Sequence, residues 1–348
     1  MRHFISTQDW AVEELQALLD EAKSLKSNPM QPLLQGRTLA LLFLNPSLRT
    51  RASFQIGAAQ LGATAIVLEP GNGVWGIEFD SGKVMDGKAE EHIVEVAEVL
   101  SRYCDLIAMR AFPGFKNWQY DRDDPLIKAL ARHSRVPVIN METIIHPCQE
   151  LALAMTLQEK LGRLKGKKLC LTWTWNPQPL STAVANSVTM IATKYGMNVS
   201  LLCPTPDYVL DERFMKVAHE NAASSGGRLA VTHEISDGYA DADVIYGNSW
   251  GALPYYGNPE REWELSRAYG RFIVDERKMA MTNNAIFSHC LPVRRNVEAT
   301  DAVLDGPGCV AIDEAENRLH VQKALMLRLL RAAGKLNEVA QSPPARLP

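Results

Sequence analysis

Four short segments carry polar and charged side chains of types that bind a small ligand, the first of them an anion. The first reads Asn45-Pro46-Ser47-Leu48-Arg49-Thr50-Arg51 and directly follows an apolar run at 38–44. A strand that opens a helix at this point leaves backbone N–H groups and the positive helix end facing outward. Ser47 and Thr50 add hydroxyl donors, and Arg49 adds a planar fork that matches phosphate oxygens. No glycine-rich loop, Walker lysine or Gly-x-Gly-x-x-Gly accompanies it, which argues against a nucleotide's phosphate. By itself the segment is equally an ordinary helix cap beside solvated arginines. The second segment is His146-Pro147-Cys148-Gln149, at the head of a helical stretch and just beyond a run ending near Asn140. Open α/β sheets bind ligands at the carboxyl ends of their strands, where this histidine and glutamine fall. The third is His289-Cys290-Leu291-Pro292-Val293-Arg294, and the fourth is Glu316-Asn317-Arg318, read as leading into the final helix.

The elements that must position these groups alternate along the chain. Apolar strand-like runs occur at 38–44, 65–68, 105–109 and 137–140. A second set follows at 168–172, 198–203, 229–233, 244–246, 285–289 and 309–312. Helical periodicity lies between them, for example at Phe54, Ala58 and Leu61, or Ile93, Val96, Ala97 and Leu100. Continuous apolar strands separated by helices predict parallel sheets covered on both faces. The fold class expected is α/β, with two doubly wound parallel-sheet domains. Residues 1–146 form the first, residues 147–319 the second, and a C-terminal helix within 320–348 packs back on the first. The segment from about 147 to 161 is the connector between them. The stretch 173–180, with two tryptophans and two prolines, is a shaped loop rather than regular structure.

Bulk properties narrow the function classes. A chain of 348 residues with 46% apolar and 22% charged residues reads as globular and large enough for two domains. A net charge of −3 provides no basic field for nucleic acid. No apolar run reaches membrane-spanning length, and the first ten residues lack a signal-peptide order, so a cytoplasmic location is expected. The six cysteines are scattered without a Cys-x-x-Cys pair, which reads as free buried thiols and supports neither a zinc site nor a disulfide framework. No metal or other cofactor is expected.

Taken together, Ser47-x-Arg49-Thr50-Arg51, His146-Pro147-x-Gln149 and His289-Cys290-Leu291-Pro292 stand in the order found in one family. The chain resembles the aspartate and ornithine transcarbamylases over nearly its whole length. That resemblance implies carbamoyl phosphate as donor, with Ser47, Arg49, Thr50 and the backbone of Leu48 on its phosphate. It implies that Arg110 contacts phosphate and carbonyl oxygen, and that His146 donates to the carbonyl oxygen. Gln149 and the carbonyls of Cys290 and Leu291 would hold the carbamoyl NH2, assisted by Arg318, with Pro147 and Cys148 in the same binding segment. The Leu291–Pro292 bond is expected to be cis. Arg110, His146, Thr50 and Cys290 are the residues expected at the reacting atoms. The chemistry needs no covalent enzyme intermediate: a neutral amine attacks, an oxyanion develops, and phosphate leaves.

The acceptor is narrowed by what is missing. Ornithine-using members resemble one another at an Asp-x-x-x-Ser-Met-Gly segment, and the matching segment here reads Tyr246-Gly247-Asn248-Ser249-Trp250-Gly251. Losing that aspartate points to an uncharged, acylated α-nitrogen. Segments 175–180, 248–253 and 282–292 resemble the branch that uses N-acetyl-L-ornithine, which implies N-acetyl-L-citrulline and phosphate as products in arginine biosynthesis. By that match Glu142, Asn248, Leu291 and Arg294 line the acceptor pocket, and Trp75 and Glu90 reach a neighbouring subunit's site. Relatives that use succinylornithine carry proline at the Glu90 position; a succinyl carboxylate beside Glu90 would be repelled, which favours acetyl. In the acetyl branch a lysine that becomes carboxylated stands at the position of Glu298, and another lysine stands at Asn248. Glu298 offers a carboxylate without modification and is expected near His289. The resemblance also implies a homotrimer with shared sites and a knotted substrate domain. The rivals are succinylornithine or ornithine as acceptor and, from a different class, a non-catalytic carbamoyl-phosphate-binding paralogue.

Overall fold

The computed structural model describes residues 1–178 and 180–336. Pro179 of the shaped loop and the tail 337–348, including the end of the expected packing-back segment, lie outside the described residues.

Among the described residues eleven strands form three sheets. Strands β1 (Thr38–Phe43), β2 (Thr64–Leu68), β5 (Leu106–Arg110) and β6 (Val138–Glu142) make a sheet in the order β2-β1-β5-β6. Strands β7 (Lys168–Trp173), β8 (Asn198–Leu202), β9 (Arg228–Thr232), β10 (Val244–Asn248) and β11 (Ile286–His289) make a second, in the order β11-β10-β7-β8-β9. All pairings in both are parallel. The small strands β3 (Ile77–Glu78) and β4 (Glu91–His92) pair by themselves. Strands β1, β5, β6, β7 and β10 are almost wholly buried, as their unbroken apolar runs require, whereas the edges β2 and β9 are half-exposed. The chain start adds to the free edge of β6, where Phe4 exchanges hydrogen bonds with Val138 and Asn140 at 2.8 Å each.

The helices that cover these sheets include α1 (Val12–Ser27), α2 (Leu48–Gln60), α3 (Ile93–Tyr103), α4 (Trp118–Asp121) and α5 (Pro125–His133) in the first half. The connector is α6 (Pro147–Leu161), with proline at its first position, where no amide is needed. In the second half lie α7 (Ala183–Lys194), α8 (Glu212–Ser225), α9 (Ile235–Tyr239), α10 (Pro259–Ser266), α11 (Glu276–Met279) and α12 (Asp301–Leu304). Helix α13 (Ala311–Ala332) returns to pack on α1, α2 and α6. It passes so close to α2 that a Cβ on Gly57 would meet Lys323 Cγ at 3.2 Å and Leu319 Cδ1 at 3.3 Å. Lys323 is buried there. Its Nζ donates to the carbonyls of Leu25 and Pro29 at 3.2 Å each and to Gln60 Oε1 at 2.8 Å. A cation thus ties α13 to the negative ends of α1 and α2.

Two expectations need correction. Residues 309–312 do not form a strand: Cys309 makes one bridge to Phe287, and α13 begins at Ala311. The run is apolar, but Ile312 is 71% exposed, so it continues into a helix turn and not into the sheet. Consequently Glu316-Asn317-Arg318 lies inside α13 and does not precede it.

Candidate active site

Three of the four segments follow the carboxyl end of a strand (β1, β6 and β11), and the fourth reaches them from α13. In the first sheet the chain turns one way from β1 to β2 and the other way to β5, so the loops after β1 and β5 flank the switch point. In the second sheet the same reversal falls between β7 and β10. The two switch points face one cavity of about 630 Å3. Its first wall carries Ser47, Leu48, Arg49, Thr50, Arg110, Glu142, His146 and Arg318. Its second carries Asn176, Asn248, Cys290, Leu291, Arg294 and Glu298.

The anion end is built from the start of α2. Ser47 is its N-cap, accepting from the Thr50 amide at 3.1 Å. Arg318, almost fully buried on α13, reaches across to this helix. Its Nη2 donates to Thr50 Oγ1 at 2.9 Å, and its Nη1 donates to Gln149 Oε1 at 2.8 Å and lies 3.3 Å from His146 Nε2. Arg110 donates to Glu142 in a very short ion pair and stacks over Phe112 at 4.5 Å. Glu142 also lies 3.2 Å from His146 Nε2. The guanidinium groups of Arg49, Arg110 and Arg318 therefore crowd the first wall of the cavity, where Glu142 pairs with Arg110.

Electrostatics follow from that crowding. Burial holds the His146 imidazole well below its ordinary value, and Arg318, Arg110 and Arg49 push it further down. His146 is therefore a neutral hydrogen-bonding group at physiological pH. Burial likewise lowers Arg49, with Arg318 and Arg110 adding to the effect, a site short of negative charge. Burial pushes the Cys290 thiol up to about 12, so its sulfur is not a nucleophile. What Cys290 presents is its carbonyl, which accepts from His289 Nδ1 at 2.8 Å. The Leu291–Pro292 peptide is cis.

At the other end, Glu298 is 2% exposed. Its Oε2 accepts from the Arg294 amide at 2.7 Å, its Oε1 accepts from Asn176 Nδ2 at 3.3 Å, and Oε1 lies 3.7 Å from His289 Nε2. Burial works against its charge, but His289 and these donors more than offset that and hold the carboxyl below its usual range. Asn248 is buried in the lining of the same cavity and donates to Ser249 O at 3.2 Å.

Three expected site residues are placed differently. Pro147, Cys148 and Gln149 do not line the cavity but back its wall. The Cys148 thiol is wholly buried and turned to Asn140 O at 3.5 Å. The Gln149 amide is engaged at both ends, by Arg318 and by Glu314. Their position in the first turn of α6 turns them into the protein, where an amide must find internal partners. Trp75 and Glu90, expected at a neighbouring subunit's site, are exposed and do not line this chain's own cavity. Sequence reasoning missed Glu314 and the lining residues Phe112, Phe115, Leu180, Ser181 and Val184. An acid four residues before Arg318 on one helix face was the available signal for Glu314.

The match to known families decides the lineage. The model of the aspartate/ornithine carbamoyltransferase carbamoyl-P binding domain matches residues 2–159, and that of the Asp/Orn binding domain matches residues 167–329. This chain belongs to the aspartate/ornithine carbamoyltransferase family. Within the family it is 61% identical to the N-acetylornithine carbamoyltransferase of Xanthomonas campestris pv. campestris over 332 residues, covering 95% of this chain and 98% of that protein. The N-succinylornithine carbamoyltransferase of Bacteroides fragilis is 35% identical, over 95% of this chain and 99% of its own. Among solved structures, an acetylornithine transcarbamylase complexed with acetylcitrulline superposes with a TM-score of 0.94 at 61% identity, covering 94% of this chain and 99% of that one. The first family model ends at residue 159, in the last turn of α6 (Pro147–Leu161), so it places most of the connector helix on the carbamoyl-phosphate side, whereas the sequence division fell at 146/147.

Proposed function

We propose that this carbamoyltransferase moves the carbamoyl group of carbamoyl phosphate to the δ-amine of N-acetyl-L-ornithine, giving N-acetyl-L-citrulline and phosphate. The observation that carries the reading is the convergence of Arg49, Arg110, Arg318 and a neutral His146 on the α2 N-terminus, opposite the loop that runs from His289 to Glu298. The phosphate rests on the Ser47–Thr50 amides and hydroxyls and on Arg49. Thr50, Arg110 and His146 stand at the carbonyl oxygen, where charge develops as the amine attacks. Fixed donors there lower the barrier without reorganising. The departing phosphate gains negative charge beside Arg49 and Arg110. The attacking amine resembles that of lysine, with an unperturbed pKa of about 10, so it reacts only after losing a proton.

The acceptor pocket is formed by Glu142, Asn248, Leu291 and Arg294, with Glu298 supplying the carboxylate that faces His289. Identity falls from 61% with the relative named for acetylornithine to 35% with the one named for succinylornithine, which supports the acetyl group. The assembly we propose is a homotrimer in which Trp75 and Glu90 complete a neighbour's cavity. Trp75 is 63% exposed, and neither side chain has a role in its own chain's site. Initial rates with carbamoyl phosphate and N-acetyl-, N-succinyl- or unmodified ornithine test the reading. Strong preference for N-acetylornithine supports it. Preference for either rival replaces the acceptor, and no ureido product with any of them leaves a non-catalytic binding protein.

A further inference from the structure

Glu314 lies at the centre of a polar cluster behind the cavity. It is fully buried. It accepts from Gln149 Nε2 and Ser288 Oγ in very short hydrogen bonds and from Tyr246 Oη at 3.0 Å. Ser288 and Tyr246 are themselves fully buried, and Gln149 nearly so. Among the described residues no lysine or arginine forms an ion pair with Glu314. A buried carboxylate without a cation is costly, and apolar residues of similar volume would serve stability at least as well. Such a cluster calls for a reason beyond folding.

The reason lies in what its donors do. Gln149 can present its amide in two orientations. With Nε2 on Glu314, its Oε1 faces Arg318 Nη1 at 2.8 Å. Turned over, its oxygen would face a carboxylate and its NH2 a guanidinium, which leaves four groups unmatched. Glu314 thus selects one orientation of Gln149. Gln149 in turn fixes the fork of Arg318, whose other contacts are Thr50 at 2.9 Å and His146 at 3.3 Å. On its far side Glu314 grips the middle of β10 through Tyr246 and the end of β11 through Ser288, the latter adjacent to His289. One side chain therefore joins β10 and β11 of the second sheet to Gln149 on α6 and, through it, to Arg318 on α13.

We infer that Glu314 is a positioning residue, which sets the carbamoyl end of the site by orienting Gln149 and, through it, the Arg318 fork. This rests on the carbamoyl-transfer reading above. The test is steady-state kinetics of the full-length enzyme with carbamoyl phosphate and N-acetylornithine, using Glu314→Gln, Tyr246→Phe, Gln149→Ala and the two double variants. Misplacing a reacting group by about 1 Å costs on the order of 10²-fold, so Glu314→Gln is expected to lower kcat/KM for carbamoyl phosphate by roughly 10–100-fold. The KM for the acceptor should stay within about threefold of wild type. Tyr246→Phe, which removes one of three bonds and keeps the ring, should act in the same direction more weakly. In the Gln149→Ala background neither change should cost anything further, because a residue that acts through another is not additive with its loss. Losses that multiply in the double variants overturn the proposal, as does a lowered Tm with unchanged kinetics. If Glu314→Gln does not fold, the Tyr246→Phe pair decides by the same rule. A wild-type enzyme inactive on every ornithine would instead overturn the functional reading.

Discussion

Replacing Arg318 by lysine keeps the charge and removes the geometry. Arg318 spans three groups from two guanidinium nitrogens: Nη1 serves Gln149 at 2.8 Å and touches His146 at 3.3 Å, while Nη2 serves Thr50 at 2.9 Å. A lysine carries its donors on one atom at the end of a shorter, unforked chain and can meet only one of these positions well. Hydrogen bonds to a charged group are worth about 1.5–3 kcal/mol each, so losing two bounds the effect at roughly 3–6 kcal/mol. Residue 318 is only 3% exposed, so water refills the gap poorly, but part of the loss falls on folding rather than on the transition state. Taking the lower bound for catalysis, about 3 kcal/mol lowers kcat/KM by roughly 10²-fold at 1.36 kcal/mol per factor of ten. Initial rates read by ureido-product formation, at saturating N-acetylornithine and varied carbamoyl phosphate, measure this directly. A parallel Tm measurement separates the folding share. If Arg318→Lys stays within fivefold of wild type, charge alone suffices, and the idea that fixed donor geometry drives the reaction is wrong.

Further outcomes follow from the same geometry. Glu150 is buried beside Thr7, and burial raises its carboxyl to about 7 from a usual 4.5. The folded protein therefore keeps a proton that the unfolded chain loses, so stability should fall as pH rises from 4.5 to 7, by about 3 kcal/mol at 1.36 kcal/mol per pKa unit. Glu150→Gln should flatten that decline in Tm against pH, and an unchanged slope would refute the assignment. Because burial and three arginines keep His146 neutral, kcat/KM for carbamoyl phosphate should show no histidine-like inflection near pH 6.5, and the inflection should be absent in His146→Asn as well. Glu298→Ala should raise the acceptor KM while leaving carbamoyl phosphate affinity unchanged, since Glu298 is held by Asn176, Arg294 and His289 and among the described residues makes no hydrogen bond to the α2 cap; unchanged acceptor binding would remove its role. Glu90→Pro should shift the acetyl-to-succinyl activity ratio toward succinylornithine, and a constant ratio would sink the charge-repulsion argument.

The strands were legible because buried parallel strands must be continuous apolar runs, but their ends were not. The runs stop at Met109, Asn140 and Tyr246, whereas hydrogen bonding carries β5, β6 and β10 on to Arg110, Glu142 and Asn248. The last residues face the cavity, where polar side chains replace apolar ones, so periodicity fades where the site begins. The run at 309–312 misled for a related reason: apolarity without length does not separate a strand from the first turn of a helix.

What the sequence settled by itself was the set of local devices: a capped helix start after a strand, prolines that open α6 and follow Leu291, and sheets covered on both faces. Backbone chemistry and side-chain type fix these within a few residues. Only the tertiary structure decided which of them meet. Arg318 reaches Thr50 because α13 crosses the start of α2, Glu314 meets Gln149 because α13 lies against the connector helix, and the amide of Gln149 faces inward because its partners do. Those choices depend on how distant elements pack, and packing is a property of the whole core that no local spacing encodes.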